Sequence, residues 1–270
     1  ARALSAKSSR VVGLVVPSIT NPFFPELAQA VEEECARRDY RLVLCNAGGS
    51  VEKERLFIGT LASSFADGII TSTGNCGAAY DRLGVPVVSV DRELGTSAPH
   101  ITSDNYEGGR MALHCLERAG RRHLLFIGAP EESTSQRQRR EGFLSEARLA
   151  GLDAEVLIVD EDDEGQALAR EAERLAAHDG IFAWNDIAAV EAIRSLLLAG
   201  RRVPEDTAII GFDDVHIGRL FIPSLSTVAQ RIYEMGRAAT ELLMRMIAGE
   251  RLVGVTYLLG VELIERDTTA

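Results

Sequence analysis

Long apolar runs, paired cysteines and lysine are all scarce in this sequence. No window of the 270 residues approaches the roughly 20 consecutive apolar residues that a membrane helix needs, so we expect no membrane span. The four cysteines, Cys35, Cys45, Cys76 and Cys115, form no C-x-x-C pair, which argues against a zinc site or a disulfide framework. The first ten residues lack the apolar core of a secretory signal. These absences predict a soluble, cytoplasmic protein.

The net charge of −11 argues against a chain that binds nucleic acid by itself. Binding to DNA phosphates depends on a basic face, which an acidic chain of this kind does not provide. Any contact with DNA is therefore expected to come from a local basic segment or from a domain outside this sequence.

Sequence motifs of enzymes and metal sites are missing too. There is no G-x-S-x-G, H-E-x-x-H, G-x-x-x-x-G-K-[ST] or G-x-G-x-x-G motif. The five histidines do not have metal-ligand spacing, and the acidic run 160–164 lacks the spacing of a calcium loop. The only lysines, Lys7 and Lys53, do not follow a predicted strand, where a Schiff-base lysine would be expected. We predict a protein that is not an enzyme and that holds no metal or cofactor.

What the sequence does contain is a regular alternation of short β-branched apolar runs with longer amphipathic segments. This pattern is typical of βαβ units and parallel sheets. The predicted strands are 11–16, 41–46, 68–71, 87–90, 100–103, 124–128, 154–159, 180–184, 207–212 and 261–265. The predicted helices are 25–38, 52–63, 106–119, 137–150, 165–176, 186–199 and 232–248.

The length and the pattern indicate two lobes. A chain of 270 residues suits two α/β domains of about 130 residues, each with its own core. Segments 11–38 and 124–150 each consist of a strand, a polar loop and a helix, and a short hinge is expected near residues 103–105. Because ligands of open parallel sheets bind beyond the carboxyl ends of the strands, two such sheets facing each other predict a cleft.

Several predicted strands end in residues suited to ligand binding. Phe23 and Phe24 follow the first strand, where stacking on a ligand ring and packing at the helix start are equally plausible. Asp91 and Arg92 follow the strand 87–90, where a turn or an ion pair would explain them nearly as well as a ligand. Arg139 is expected at the start of a helix, where the helix dipole disfavours a cation, although a solvated charge is the commoner explanation.

The second half of the chain has further candidates at strand ends. Trp184 could fill a core or stack on a ligand, and Asn185 could donate to a ligand hydroxyl. Asp186 is predicted to be the N-cap of the next helix. Asp213, followed by a second aspartate, suits hydroxyl recognition or a capped turn about equally.

These landmarks, taken in order, resemble the LacI/GalR family of transcription regulators along almost the whole chain. The opening Val-Gly-Leu-Val-Val-Pro of residues 12–17, with Asn-Pro-Phe-Phe at 21–24, is similar to the family's first signature. Matches follow at 90–92, 104–105 with 108–109, Arg139 with 142–143, 185–186, 203–204, 211–214 and 223–228. Leu4 is similar to the hinge-helix leucine that the family inserts into the DNA minor groove.

The resemblance implies two Rossmann-like lobes with parallel sheets, in the type I arrangement of periplasmic binding proteins, joined by three hinge crossovers. The crossovers are expected near 102–105, 184–186 and 226–230. Residues 1–9 would end a hinge helix, with an N-terminal lobe of 10–103 plus 229–249 and a C-terminal lobe of 104–228 plus 250–270. The family's helix-turn-helix, through which operator DNA is bound, is expected before residue 1. Homodimers are usual in the family, and the apolar late helix would permit one.

Effector residues carry over by position only. The resemblance implies Phe23 and Phe24 as walls and four polar clamps, Asp91, Arg139, Asn185 and Asp213; the weaker candidates are Ser133, Ser135, Asp160 and Trp184. Purine-responsive relatives carry an Arg and a Thr where this sequence has Ser133 and Ser135, so a purine is disfavoured. A guanidinium, an amide and a carboxylate suit vicinal hydroxyls, which favours a sugar or sugar phosphate. Effector binding is expected to close the lobes and change operator affinity.

The main alternative is an exported sugar-binding protein of a transporter, since a mature exported protein also lacks its signal. The hinge-like residues 1–4 and the absence of a cysteine pair disfavour it.

Overall fold

The computed structural model describes residues 8–74, 76–95, 97–130, 133–159 and 166–270, and it divides into two compact units. Unit 1 comprises the described residues up to Thr102 together with Arg231–Leu259. Unit 2 comprises Ser103–Gln230 together with Gly260–Ala270. Leu4 and Asp160 lie outside the described residues.

Both units are built from alternating strands and helices. In chain order the elements are β1 (Val11–Val16), α1 (Phe23–Ala36), β2 (Arg41–Asn46), α2 (Val51–Thr60), β3 (Gly68–Thr71), α3 (Gly77–Tyr80), β4 (Val87–Val90), β5 (His100–Ser103), α4 (Asn105–Arg118), β6 (His123–Gly128), α5 (Thr134–Ala150), β7 (Asp153–Ile158), α6 (Gln166–Arg170), α7 (Ala172–Ala176), β8 (Gly180–Ala183), α8 (Asp186–Leu198), β9 (Ala208–Asp213), α9 (His216–Leu220), β10 (Ser226–Ala229), α10 (Ile232–Ile247), β11 (Thr256–Leu259) and β12 (Glu262–Ile264). A π-helical turn at Leu61–Phe65 follows α2.

The six-stranded sheet of unit 1 has the order β11-β5-β4-β3-β1-β2, and β1 to β5 pair in parallel. Helix α10 packs against α1, β3 and β4. The crossing of α1 and α10 is close, because a Cβ at Gly236 would lie 2.6 Å from the Cβ of Ala30. Met235, Ala239 and Leu243 on α10 are fully buried. The apolar residues of this helix thus belong largely to the core of unit 1. The sequence had suggested them for a dimer contact.

The sheet of unit 2 has the order β12-β10-β9-β8-β6-β7, with β12 antiparallel to β10 and the other pairs parallel. Four phenylalanines, Phe126, Phe143, Phe182 and Phe212, form a chain of ring contacts in its core. Burial of aromatic side chains of this size supplies much of the stability of such a core.

Helices α4 and α5 pack closely on one face of the unit 2 sheet. A Cβ at Gly109 would lie 2.8 Å from the backbone nitrogen of Phe143 and even closer to the carbonyl oxygen of Arg139. A Cβ at Gly142 would likewise collide with the carbonyl oxygen of Tyr106. Reciprocal glycines at the crossing therefore let the two helix backbones touch, and this contact brings the polar face of α5 next to the start of α4.

The predicted fold class, two α/β lobes with largely parallel sheets, is confirmed. The crossover expected near 184–186 is wrong, because β8 and α8 both lie within unit 2. The chain passes between the units after Thr102, Gln230 and Leu259 instead. Residues 250–259, expected in the second lobe, belong to unit 1, where β11 lies beside β5. The predicted helix 165–176 is divided into α6 and α7.

Membrane-spanning helices and metal-binding groups are both absent from the described residues. Among them, no helix is both long and apolar enough to cross a membrane. The same part of the chain contains no group of three or more histidine, cysteine or acidic side chains arranged to hold a metal ion.

Candidate functional site

Arg139 is the centre of a buried polar cluster in unit 2. It lies in the second turn of α5, not at the start of the helix as the sequence suggested, and its side chain is 5% exposed. Its Nε donates to Asn105 Oδ1 at 2.8 Å, and its Nη1 donates to the carbonyl oxygen of Trp184 at 2.7 Å. The guanidinium carbon lies 3.7 Å from the ring centroid of Phe212, a cation–π contact. These contacts fix the plane of the guanidinium.

Asp213, at the carboxyl end of β9, is the acidic member of the cluster. Its Oδ1 lies 3.7 Å from Arg139 Nη1, and its side chain is 5% exposed. The same oxygen accepts a hydrogen bond of 2.7 Å from Gln230 Nε2. Asp213 has a φ of 112°, which L-residues rarely adopt, and such strain is commonly found at binding sites. The strand ends here because the backbone turns out of the extended region.

Asn185, and not Asp186, is the N-cap of α8. Its Oδ1 accepts a hydrogen bond of 2.8 Å from the backbone nitrogen of Ala188, so the predicted cap at Asp186 is wrong. Capping engages the oxygen of the side-chain amide, which leaves the NH2 group as the part of Asn185 suited to donate to a ligand. Asp186 is completely buried, and burial, followed by the nearby charge of Asp213, raises its pKa well above the ordinary value.

Trp184 and Ser135 lie close to the same edge of the unit 2 sheet. Trp184 is part of the core of unit 2, and its indole Nε1 is buried with no hydrogen-bond partner among the described residues. Ser135 is buried near the start of α5, and its hydroxyl bonds that of Ser133 at 2.8 Å. Ser133 is the N-cap of α5 and forms a capping box with Gln136, which gives this serine a structural role.

The candidates in unit 1 lie at the carboxyl ends of β1 and β4. Phe23 and Phe24 open α1, and their rings meet edge to face with centroids 5.1 Å apart. Both side chains are buried. Asp91 follows β4 with a φ of 62° and is also buried, and its backbone nitrogen donates to the carbonyl oxygen of Ile101. Phe23 and Phe24 thus pack on each other at the helix start, as one of the two sequence interpretations expected.

Two residues of the unit 2 cluster were not predicted. Asn105 is buried and orients the guanidinium of Arg139, from 34 positions earlier in the chain. Gln230 donates to Asp213, while its Oε1 is buried without a hydrogen-bond partner in the described part of the chain. The position of Gln230 directly after β10, at the carboxyl edge of the sheet, is the signal that could have identified it.

Comparison with known proteins assigns the family. The sequence profile of the periplasmic binding protein-like domain family matches residues 113–269. A ribose operon repressor from Halalkalibacterium halodurans is 36% identical, over 100% of this chain and 82% of the repressor. A periplasmic binding protein/LacI transcriptional regulator from Alkaliphilus metalliredigens, solved with D-xylulofuranose, is 37% identical with a TM-score of 0.92, over 97% of this chain and 99% of that one. This chain belongs to the LacI family of transcriptional regulators.

A second LacI-family structure, from Arthrobacter sp. FB24 in complex with lactose, is 30% identical with a TM-score of 0.86, covering 96% of this chain and 99% of the other. Membership of the LacI family confirms the resemblance found in the sequence and favours a transcriptional regulator over an exported sugar-binding protein.

Proposed function

We propose that this LacI-family chain is the effector-binding part of a repressor, and that a sugar bound by the Arg139 cluster changes the affinity of the repressor for operator DNA. The observation that carries the proposal is the fixed guanidinium of Arg139 beside the carboxylate of Asp213, 3.7 Å away, at the carboxyl edge of the sheet. Because both groups are buried and held by neighbours, little side-chain entropy is lost when a ligand binds to them.

The chemistry of the cluster suits a polyhydroxylated ligand. The guanidinium of Arg139 and the NH2 group of Asn185 can only donate to a hydroxyl oxygen, whereas the carboxylate of Asp213 accepts from hydroxyl hydrogens. The buried Oε1 of Gln230 is a further acceptor. Each hydroxyl of a sugar is both a donor and an acceptor, so neighbouring hydroxyls can satisfy all of these groups together. A purely apolar ligand would leave them unpaired at a high energetic cost.

The relatives support the same ligand class. The repressor that is 36% identical carries ribose in its name, and the two solved regulators bind D-xylulofuranose and lactose. Phe23, Phe24, Asp91, Trp184 and Ser135 stay predicted effector residues. An effector can alter operator affinity only to the extent that it binds the two functional states unequally.

We also propose that the regulator acts in the cytoplasm as a homodimer. An operon repressor acts on DNA, which supports that location. Support for a dimer comes from large apolar side chains that unit 2 leaves on its surface: Leu198 is 73% exposed, Leu220 67% and Ile222 87%. Light scattering at micromolar concentration tests this, and a mass near 29 kDa, that of a single chain, would contradict it.

The effector is tested by calorimetric titration with D-ribose, D-xylulose, lactose, hypoxanthine and L-amino acids. We expect a sugar to bind, and Asp213→Asn and Arg139→Lys each to weaken it. The lysine keeps the charge but not the planar fork. Loss of a hydrogen bond to a charged group corresponds to about 1.5–3 kcal/mol, which is roughly tenfold to a hundredfold in Kd.

Arg202→Ala is the matched control, since Arg202 is an exposed arginine of unit 2 paired with Asp206. This variant should bind the sugar like the unaltered protein. Binding of hypoxanthine or an amino acid alone would exclude a sugar effector. A sugar whose Kd is the same in both cluster variants would show that the Arg139 cluster is not its site.

A further inference from the structure

Asp186 is a completely buried carboxyl group that neither the helix cap nor the proposed contacts with the effector use. It is the first residue of α8, but the N-cap is Asn185. A buried acid usually requires a specific set of partners, because burial without hydrogen bonds is costly. The contacts of Asp186 therefore indicate its role.

These contacts join three separate elements of unit 2. Oδ2 of Asp186 accepts a hydrogen bond of 2.8 Å from the backbone nitrogen of Val215, and Oδ1 accepts one of 2.6 Å from the hydroxyl of Thr227. One carboxyl group on α8 thus holds the segment after β9 and the strand β10. Gly211 provides the space, because a Cβ there would collide with Oδ1 of Asp186.

The segment that Asp186 holds begins with the acidic member of the candidate site. Asp213 has a φ of 112° and Asp214 a φ of 61°, so two consecutive non-glycine residues lie in the left-handed region. Such conformations persist only where surrounding contacts impose them. Val215 is the next residue, and its backbone nitrogen donates to Asp186. The carboxyl of Asp186 is therefore an anchor placed directly after the strained pair.

We propose that Asp186 is a positioning residue that fixes the turn 213–215 and thereby holds the Asp213 carboxylate where it binds the effector. This inference rests on the proposed function, since the role of Asp213 in binding comes from there. Asp186 itself is completely buried, so in this proposal it influences the effector through the turn and not by direct contact.

The first test needs no effector. An asparagine has the same shape, and its amide can accept from the Val215 nitrogen while donating to the Thr227 hydroxyl, so Asp186→Asn should keep the turn. Asp186→Ala removes both hydrogen bonds. We expect amide exchange at residues 213–215 to accelerate by about tenfold, because the bond to the Val215 nitrogen holds this turn directly. Thr227→Val, which removes one bond and keeps the side-chain shape, should act in the same direction with a smaller effect.

Leu196→Ala is the matched control, because Leu196 is a fully buried core residue of the same helix, α8. It should destabilise unit 2 without a selective increase of exchange at 213–215. Unchanged exchange at these residues in both Asp186→Ala and Thr227→Val would overturn the proposal, and so would the same selective increase in Leu196→Ala.

The second test is a double-mutant cycle with D-ribose as the probe. Asp186→Ala should weaken binding by about tenfold, Asp186→Asn should restore it, and Asp186→Ala should have no further effect in a background of Asp213→Ala. Additive losses would mean that Asp186 acts by another route, which overturns the proposal. If Asp213→Ala leaves the Kd for D-ribose unchanged, the proposed binding site is wrong, and so is the proposed effect of Asp186 on effector binding. The amide-exchange data then still show whether Asp186 holds the turn.

Discussion

The contact between α4 and α5 leads to a quantitative prediction for Gly109→Ala. The new Cβ would lie 2.8 Å from the backbone nitrogen of Phe143 and closer still to the carbonyl oxygen of Arg139. Both atoms belong to helix backbone, so they cannot move aside as a flexible side chain would. Relief of the collision requires α4 and α5 to separate by roughly an ångström, which interiors packed to crystal-like density resist.

Two terms of opposite sign set the size of the effect. Overpacking costs about 1–3 kcal/mol, and a collision between backbones belongs at the upper end of that range. Alanine favours a helix over glycine by up to about 1 kcal/mol. We therefore expect Gly109→Ala to reduce the free energy of unfolding by about 2 kcal/mol. It should also weaken effector binding, because α5 carries Arg139.

Gly59→Ala is the matched control, since Gly59 lies in helix α2 with an ordinary φ, and the position that a Cβ would take there has no neighbouring atom within 4 Å. This change should stabilise unit 1, to which Gly59 belongs, by about 0.5–1 kcal/mol and leave the unfolding of unit 2 unchanged. Urea unfolding followed by the fluorescence of Trp184, the single tryptophan, reports on unit 2. A Gly109→Ala protein whose tryptophan transition is as stable as that of the unaltered chain would refute the close-packing argument.

Two further predictions concern acid stability and thiol reactivity. Burial raises the pKa of Asp67, but hydrogen bonds from Ser8, Ser9 and Arg10 outweigh it and leave the pKa below its ordinary value. The resulting stabilisation is complete above the unfolded pKa near 4 and is lost as the pH falls through the folded pKa. Asp67→Asn should therefore reduce the loss of urea stability that the protein shows below about pH 4. The same loss of stability in Asp67→Asn as in the unaltered protein would contradict this. Burial raises the pKa of the Cys35 and Cys115 thiols to about 11. Iodoacetamide should therefore modify both thiols slowly at pH 8 in the folded protein and rapidly in urea, which mass spectrometry of peptides measures.

The strands of the two sheets were predictable where their residues are continuously apolar. Val11–Val16 and Gly68–Thr71 are almost entirely buried on both faces, so their sequences carry the signal of a parallel strand without any knowledge of their neighbours. Ser226–Ala229 is just as buried, but its serine and threonine interrupt the apolar run, so the sequence does not predict a strand there. Thr227 is tolerated there because its hydroxyl donates to Asp186, which lies 41 residues earlier in the chain.

The candidate site was predictable to the extent that it follows strand ends. Asp213 and Asn185 were identified in this way, since the carboxyl edge of a parallel sheet is set by the strand pattern. The exchange of roles between Asn185 and Asp186 was not predictable, because both residue types cap helices well and only the position of Val215 decides between them. Asn105 was missed for a similar reason, since its partner on α5 lies 34 positions away.

The three passages of the chain between the units have a consequence for its synthesis. Unit 1 starts first, but its sheet lacks β11 and its core lacks α10 until Leu259 has left the ribosome. Five of the six strands of unit 2 lie within the continuous segment Ser103–Gln230, and only the terminal segment Gly260–Ala270 is added later. Unit 2 is therefore nearly complete while unit 1 still exposes apolar surface. The lifetime of this intermediate depends on how soon residues 231–259 are synthesised and pack onto unit 1.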